Sequence, residues 1–405
     1  MKRKIAKDTL VLLFSRFGSR LLIFGFGIYA ARVLGSVNFG KVVFASAFIL
    51  TFTPLADFGL ENFLLREVSR RPNQRMKIIK DLFYPRILLA GLAYFLALAS
   101  AVVLGFESED LINVSLYGLM LIPYSLNYFF LAYFNAQEKF IKSALLKFFY
   151  PLAHVLLGLL FLILGFSYRW LFLAVVLGNL SSALVLLFFY PQIIKQFSFS
   201  GRLLKKVLCQ TWPWAALIFI AVFYLRLDVI ILKKIAGSQA TGLYGPVSNL
   251  VQTSLLIPQS FALALFPLSS RLVKLNKFKM KRVYLRGLGI LFLASLPIVG
   301  FGIWLSPFLI PLIFGQEYQV SIPAFQVAFL SLILFFVNAL PGNVILNSKK
   351  VKGFIPWAIA NLIVNLGLNL TLIPCLGFTG AAWAKLFSEF FGFLTNNLYV
   401  YRILG

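Results

Sequence analysis

Long apolar runs, each of about 20 residues or more, follow one another along the chain between short polar and basic stretches. A helix of about 20 apolar residues crosses the hydrocarbon core of a bilayer. The runs do not alternate between apolar and polar positions, as the strands of a membrane β-barrel do. The pattern therefore predicts an all-α polytopic membrane protein with about twelve transmembrane helices. We place these spans at residues 8–32, 39–60, 82–105, 111–135, 142–166, 170–190, 212–235, 244–270, 284–312, 322–346, 353–374 and 378–402.

Two segments about 200 residues apart resemble each other. One reads RVLGSVNFGKVVFASAF from Arg32, and the other reads KKIAGSQATGLYGPVSNL from Lys233. In each, a Gly-Ser pair precedes an aromatic residue followed by glycine, and a proline lies at a matching point of the next span. A spacing of half the chain predicts two six-helix lobes, residues 1–200 and 201–405, around a central cavity. The alternative is that short turn motifs recur by chance.

The charges are few and unevenly distributed. The 405-residue chain is 60% hydrophobic and 12% charged, with a formal net charge of +26. In a soluble protein this charge would indicate nucleic-acid binding, but the retention of lysine and arginine on the cytoplasmic side of membrane proteins is a sufficient cause, so we expect no nucleic-acid partner. We predict a multi-pass protein of the inner membrane of a bacterial or archaeal cell, with both termini in the cytoplasm. Of the 38 lysines and arginines, the predicted outer loops hold Arg32, Lys41, Arg169, Lys233 and Lys234.

No motif in the sequence points to catalysis or to a cofactor. The stretch GSVNFGKV at residues 35–42 approaches a phosphate-binding loop, but valine replaces the required serine or threonine and no strand precedes it. The sequence has no HExxH motif, nucleophile elbow or paired-cysteine motif. Two isolated cysteines and the single His154 make no metal site. We expect a protein that is not an enzyme and that uses no cofactor or metal.

We single out four of the six basic residues that lie within predicted spans, where an ionisable group is costly unless it faces a cavity or a partner. Arg16 and Arg20 are four residues apart and therefore share one face of the first span. At about 1.5 Å per residue, Arg20 lies roughly 18 Å from the cytoplasmic end, near mid-bilayer. Arg226 of the seventh span lies at a similar depth. Together with Lys385 of the last span, they predict a wet cationic cavity that binds an anionic ligand.

Three acidic residues in or near the spans are candidates for ion coupling, and each also has a simpler interpretation. Asp228 can pair with a base on another helix. Glu389 lies one helical turn after Lys385 and can pair with it. Asp57 lies near the cytoplasmic end of the second span, where it can cap a helix or pair with a loop base such as Arg66.

Three segments resemble a known family. The segment RLDVIILKKIAGSQATGLYGPVSNLVQ of the seventh and eighth spans is similar to polysaccharide flippases of the Wzx or RfbX type. These belong to the multidrug/oligosaccharidyl-lipid/polysaccharide (MOP) exporter superfamily. The segments ARVLGSVNFGKVVFASAF and DFGL, the latter at residues 57–60, resemble the N-terminal half of the same family. Together with the span count, the resemblance covers essentially the whole chain.

The resemblance implies a flippase that moves undecaprenyl-pyrophosphate-linked oligosaccharide from the cytoplasmic to the outer leaflet by alternating access, for synthesis of surface polysaccharide such as the O-antigen of lipopolysaccharide. Related flippases bind the pyrophosphate through cationic cavity residues, a role that Arg16, Arg20, Arg226 and Lys385 fit by depth and charge. The implied partners are the lipid-linked oligosaccharide, membrane lipids, a coupling proton or sodium ion, and polysaccharide polymerase and chain-length proteins.

Other functions stay open at this point. A drug or small-molecule cation antiporter of the same superfamily is the main alternative, although such a protein should have more embedded acids than bases. A flippase for the peptidoglycan lipid precursor usually has more spans than we count here. A membrane-embedded glycosyltransferase or polymerase would need a large outer loop. A purely structural membrane subunit is the remaining alternative.

Overall fold

The computed structural model describes residues 2–191, 201–348 and 350–404. All regular secondary structure in these residues is helical. The first eight helices are α1 (Lys2–Thr51), α2 (Thr53–Asp57), α3 (Leu60–Arg70), α4 (Arg75–Val103), α5 (Ser108–Gly118), α6 (Leu121–Ala136), α7 (Phe140–Ile163) and α8 (Arg169–Phe189). The later helices are α9 (Gly201–Ser254), α10 (Leu256–Leu275), α11 (Lys277–Phe314), α12 (Ile322–Asn347) and α13 (Val351–Leu404). Two short 3₁₀ helices cover Pro72–Gln74 and Gln316–Ser321.

Nine helical stretches within the described residues are long and apolar enough to cross a membrane. Three of them have 54 to 64 residues, far more than the roughly 20 that one crossing needs. A glycine with positive φ divides each of the three: Gly35 (φ 68°) in α1, Gly237 (φ 78°) in α9 and Gly377 (φ 58°) in α13. Glycine is needed there because a β-carbon disfavours this conformation. When the three longest stretches are divided at these glycines, the nine stretches become twelve helical segments, which is consistent with the predicted number of about twelve transmembrane helices.

The chain separates into two compact units. Unit 1 comprises Met1–Ala30 and Ala45–Val222, and unit 2 comprises Ala31–Phe44 and Phe223–Gly405. The unit boundaries rest on packing, whereas the predicted lobes rest on sequence repetition. The division into lobes 1–200 and 201–405 stays a prediction.

The two repeated segments pack directly against each other within unit 2. A β-carbon at Gly40 would lie 1.8 Å from the carbonyl oxygen of Ser238, and one at Gly242 would lie 1.8 Å from the carbonyl oxygen of Ser36. Only a residue without a side chain allows two helix backbones to approach so closely. The contact is reciprocal, and Gly40 and Gly242 are separated by the same number of residues as the Gly-Ser pairs that begin at Gly35 and Gly237. The contact therefore agrees with the alignment of the two segments on their Gly-Ser pairs.

The DFGL segment in unit 1 is a turn between α2 and α3. Phe58 (φ 44°) and Gly59 (φ 79°) are both left-handed. The carboxylate of Asp57 accepts hydrogen bonds from the backbone N–H groups of Gly59 (3.0 Å) and Glu61 (3.1 Å). The hydroxyl of Thr211 on α9 donates to the carbonyl oxygen of Phe58 (2.7 Å). These contacts fix the start of α3, and with it the position of Glu61.

Candidate functional site

Unit 1 contains a cavity of about 590 Å³ whose wall carries both charges and polar groups. Arg16 of α1 and Lys147 of α7 contribute the cations, and Glu61 of α3 and Glu138 contribute the anions. Arg16 is exposed and Lys147 is half-buried. The other lining residues are Leu65, Ser69, Tyr128, Leu131, Asn135, Ala136, Phe140 and Ser143.

The charged groups of this cavity lie close enough to act on one another. Lys147 interacts electrostatically with both Arg16 and Glu61. Glu61 in turn interacts with Arg16, Lys147 and, at the turn, with Asp57 and Arg86. Two neighbouring cations in a partly exposed pocket favour an anionic ligand, since charge-assisted hydrogen bonds to arginine or lysine are among the stronger polar contacts.

Arg20 lies one helical turn beyond Arg16, beside the wall of the same cavity. It is half-buried, and Tyr128, Tyr124 and Tyr150 lie close enough to affect its charge. Tyr128 also lines the cavity, and its ring lies 4.6 Å, centroid to centroid, from that of Tyr124. The structure thus brings Arg16 and Arg20 to one region, as their four-residue spacing predicted.

A second charged cluster lies in unit 2, and it is buried. Asp228 is 0% exposed and Lys385 is 5% exposed. The Lys385 ammonium nitrogen lies 3.3 Å from Asp228 Oδ2, and it donates to the carbonyl oxygens of Tyr224 (3.1 Å) and Leu225 (3.2 Å). The hydroxyl of Tyr244 donates to the same Asp228 oxygen (2.8 Å). We call this group, together with Glu389 and Asn338, the buried network.

Glu389 occupies the other end of the buried network. It is 5% exposed and accepts hydrogen bonds from the side-chain amide of Asn338 (2.8 Å) and from Tyr224. The ion pair of Lys385 is with Asp228 rather than with Glu389. The interpretation of Asp228 as the partner of a base on another helix is therefore confirmed. Lys385 also interacts electrostatically with Glu389, one helical turn away on the same helix.

Two further predicted residues have partners of their own. Arg226 is half-buried in unit 2 and donates to the side-chain oxygen of Gln252 (3.2 Å). Asp57 caps the turn at the start of α3, as one interpretation expected. Its ionic partner is Arg86 of α4 and not Arg66, which donates instead to Gln210 (3.1 Å).

Sequence reasoning missed three charged residues of unit 1. Arg86 is 2% exposed, pairs with Asp57 and donates to the carbonyl oxygen of Ser125 (3.2 Å). Lys147 falls within the fifth predicted span and Glu61 falls just after the second, and both line the cavity. The signal that could have identified Lys147 is its position within the apolar run of α7, more than one helical turn from either end.

The described part of the chain is all-helical, with nine stretches long and apolar enough to cross a membrane, and this defines the class of protein, a polytopic membrane protein. A multidrug resistance MATE family transporter of the MOP superfamily, solved in an inward-facing conformation, matches with a TM-score of 0.73 and 15% identity, over 95% of each chain. The lipid II flippase MurJ in its inward closed conformation matches with a TM-score of 0.71 and 17% identity, over 97% of this chain and 87% of that one. The chain has the fold of MOP superfamily transporters.

The family follows from the sequence comparison. The model of a family described as "Polysaccharide biosynthesis protein" matches residues 5–273, more than half of the chain. The chain belongs to this family. A protein of Shigella flexneri described as "Putative O-antigen transporter" is 24% identical over 373 residues, which are 87% of this chain and 87% of that protein. The predicted resemblance is confirmed.

Proposed function

We propose that the protein is a flippase that moves undecaprenyl-pyrophosphate-linked oligosaccharide from the cytoplasmic to the outer leaflet of the inner membrane by alternating access. The observation that carries the proposal is the unit 1 cavity, with Arg16 and Lys147 in its wall, in a chain that belongs to the polysaccharide biosynthesis family. The names of the O-antigen transporter relative and of the lipid II flippase support a lipid-linked saccharide as the substrate.

The chemistry of a pyrophosphate diester suits this cavity. Such a group carries two negative charges, and burial of an unpaired charge in hydrocarbon is very costly. Arg16 and Lys147 offer two cations at the cavity wall, with Arg20 one turn further along α1. Guanidinium groups bind phosphate oxygens in pairs, and lysine adds a point charge. The pyrophosphate therefore keeps ionic partners while it is inside the membrane.

The prenyl tail needs an apolar surface, and α7 separates such a surface from the polar cavity. One face of α7 turns Ser143 and Lys147 toward the polar cavity. Another face lines an apolar groove of about 810 Å³ against α8, with Leu145, Phe149 and Leu152 in its wall. In our proposal the pyrophosphate occupies the cavity while the tail stays on this lipid-facing side, because apolar chains avoid water.

The other predicted residues are proposed to contact the substrate or to couple transport to an ion gradient. Arg226 and Lys385 stay candidates for contact with the pyrophosphate. The ammonium group of Lys385 points at Asp228 and at two carbonyl groups, so it reaches a substrate only after the buried network opens. Asp228, Glu389 and Asp57 stay candidates for coupling to a proton or sodium gradient. Both termini are proposed to lie in the cytoplasm, with polysaccharide polymerase and chain-length proteins as partners.

A drug or small-molecule cation antiporter is the second candidate, and the fold shared with a MATE transporter favours it. A cation substrate would need acids in excess at its site. The unit 1 cavity has Glu61 and Glu138 against Arg16 and Lys147, with Arg20 beside its wall, so it lacks that excess.

The test of the proposed function replaces Arg16 and Arg20 of α1. In cells that depend on this protein, the double variant Arg16→Ala/Arg20→Ala should lose surface polysaccharide, and lipid-linked oligosaccharide should accumulate in the inner leaflet. The matched control is Arg282→Ala/Arg286→Ala, which removes two exposed arginines four residues apart on α11. Immunoblots of membranes verify insertion. Normal polysaccharide export by the first variant would rule out the proposed binding site, and drug resistance conferred by the wild type without polysaccharide export would favour the antiporter.

A further inference from the structure

The acid Glu61 faces the cations of the unit 1 cavity. It lines the cavity beside Arg16 and Lys147 and interacts electrostatically with both. The other acid of the cavity wall, Glu138, is exposed to solvent, whereas Glu61 is half-buried. Glu61 is therefore the acid best placed to neutralise the cavity when no ligand is bound.

The DFGL turn fixes Glu61 in this position. The carboxylate of Asp57 accepts a hydrogen bond from the backbone N–H of Glu61, and the charge of Asp57 is balanced by its ion pair with Arg86. A β-carbon at Gly59 would lie 2.7 Å from the side chain of Thr211, so the turn is packed as well as capped. Arg86 forms its ion pair with Asp57, whereas Glu61 lines the cavity wall with Arg16 and Lys147. The DFGL turn thus holds Glu61 at the cavity wall.

We infer that Glu61 is a built-in counter-ion that competes with the phosphate groups of the substrate for Arg16 and Lys147. The inference rests on the proposed function, because it concerns how the same cavity controls binding of a phosphate lipid. A pyrophosphate carries two negative charges and Glu61 only one, so the substrate displaces the carboxylate from the cations. When the substrate leaves, Glu61 returns and limits repulsion between the two cations. The cavity then binds the substrate tightly enough to take it up and weakly enough to release it.

The experiment measures binding of farnesyl pyrophosphate, a short prenyl pyrophosphate, to the purified full-length protein in detergent. Glu61→Gln removes the competing charge with little change of shape, and its Kd should fall roughly threefold to fivefold, the size expected for a partly exposed ion pair. The matched control is Glu67→Gln on the same helix, whose side chain pairs with Arg71 outside the cavity wall. It should change the Kd less than about twofold. Lys147→Gln should weaken binding.

The outcomes separate the inference from the proposed function. If the wild-type protein does not bind farnesyl pyrophosphate, the proposed function fails. If the wild type binds and Arg16→Gln/Arg20→Gln does not, but Glu61→Gln leaves the Kd unchanged or raises it, the counter-ion role alone is wrong. Should Glu61→Gln not fold, the charge-balanced variant Glu61→Gln/Lys147→Gln is compared with Lys147→Gln. Tighter binding by the double variant supports the inference, and equal binding overturns it.

Discussion

The unit 1 cavity and the buried network of unit 2 contain the same kinds of side chains in opposite surroundings. In unit 1, Arg16 is exposed and Lys147 is half-buried, on the wall of a cavity. In unit 2, Lys385 and Asp228 are almost fully buried and satisfy each other together with Tyr244. The comparison favours a ligand-binding role for the ionisable residues that keep access to water, and a structural role for those that are buried with partners.

The two surroundings imply different energetic roles. A buried ion pair contributes little net stability, yet removal of one partner is costly because the other is left as an uncompensated charge. A cation in a wet cavity already has water as its partner, so its loss affects ligand binding more than folding. Variants in the two regions should therefore separate stability from transport.

The largest effect on stability is expected from Asp228→Ala. The variant removes the carboxylate that pairs with the Lys385 ammonium and leaves the Tyr244 hydroxyl without its acceptor. We expect a loss of about 3–5 kcal/mol in the free energy of unfolding. Thermal unfolding of the purified protein in detergent measures it. The double variant Asp228→Asn/Lys385→Met removes both charges and should recover more than half of the loss. A double variant as unstable as Asp228→Ala would show that the ion pair is not the cause.

A smaller effect is expected at the glycine crossing of unit 2. Gly242→Ala places a β-carbon 1.8 Å from the carbonyl oxygen of Ser36, so the two segments must separate. Overpacking of this kind typically costs about 1–3 kcal/mol, which the same unfolding assay detects. The control is Gly300→Ala, where no atom lies within 4 Å of the added carbon. Equal stability of the two variants would contradict the close approach of the repeated segments.

The number of helical spans and the shared helix face of Arg16 and Arg20 were predictable, because both depend on local sequence. The length of an apolar run sets a span, and four-residue spacing sets a helix face. The repeat was also visible, because its Gly-Ser pairs align the two segments in the register that the contact of Gly40 with Gly242 shows. The spans and the helix face can be found within a few tens of residues, whereas the repeat appears only when segments about 200 residues apart are compared.

The partners of the charged residues were not predictable from local sequence. The ion pair of Asp228 with Lys385 joins α9 to α13, and the pair of Asp57 with Arg86 joins two helices of unit 1. Which of several bases meets an acid depends on tertiary packing. Lys147 lies within an apolar run, but the sequence does not show which helices face it. Its place in the cavity wall became clear only from the packing of α7.

The most direct test of the account asks whether the two regions differ in access to water. The background variant Cys209→Ser/Cys375→Ser removes both native thiols. Into it we would introduce Arg16→Cys in the unit 1 cavity or Ser388→Cys, a position 1% exposed and next to Glu389 in the buried network. A charged, membrane-impermeant thiol reagent is applied to both sides of the membrane, where it reacts with thiols that reach water. We predict rapid modification at position 16 and none at position 388. Equal protection at both positions, or rapid modification at position 388, would contradict the account.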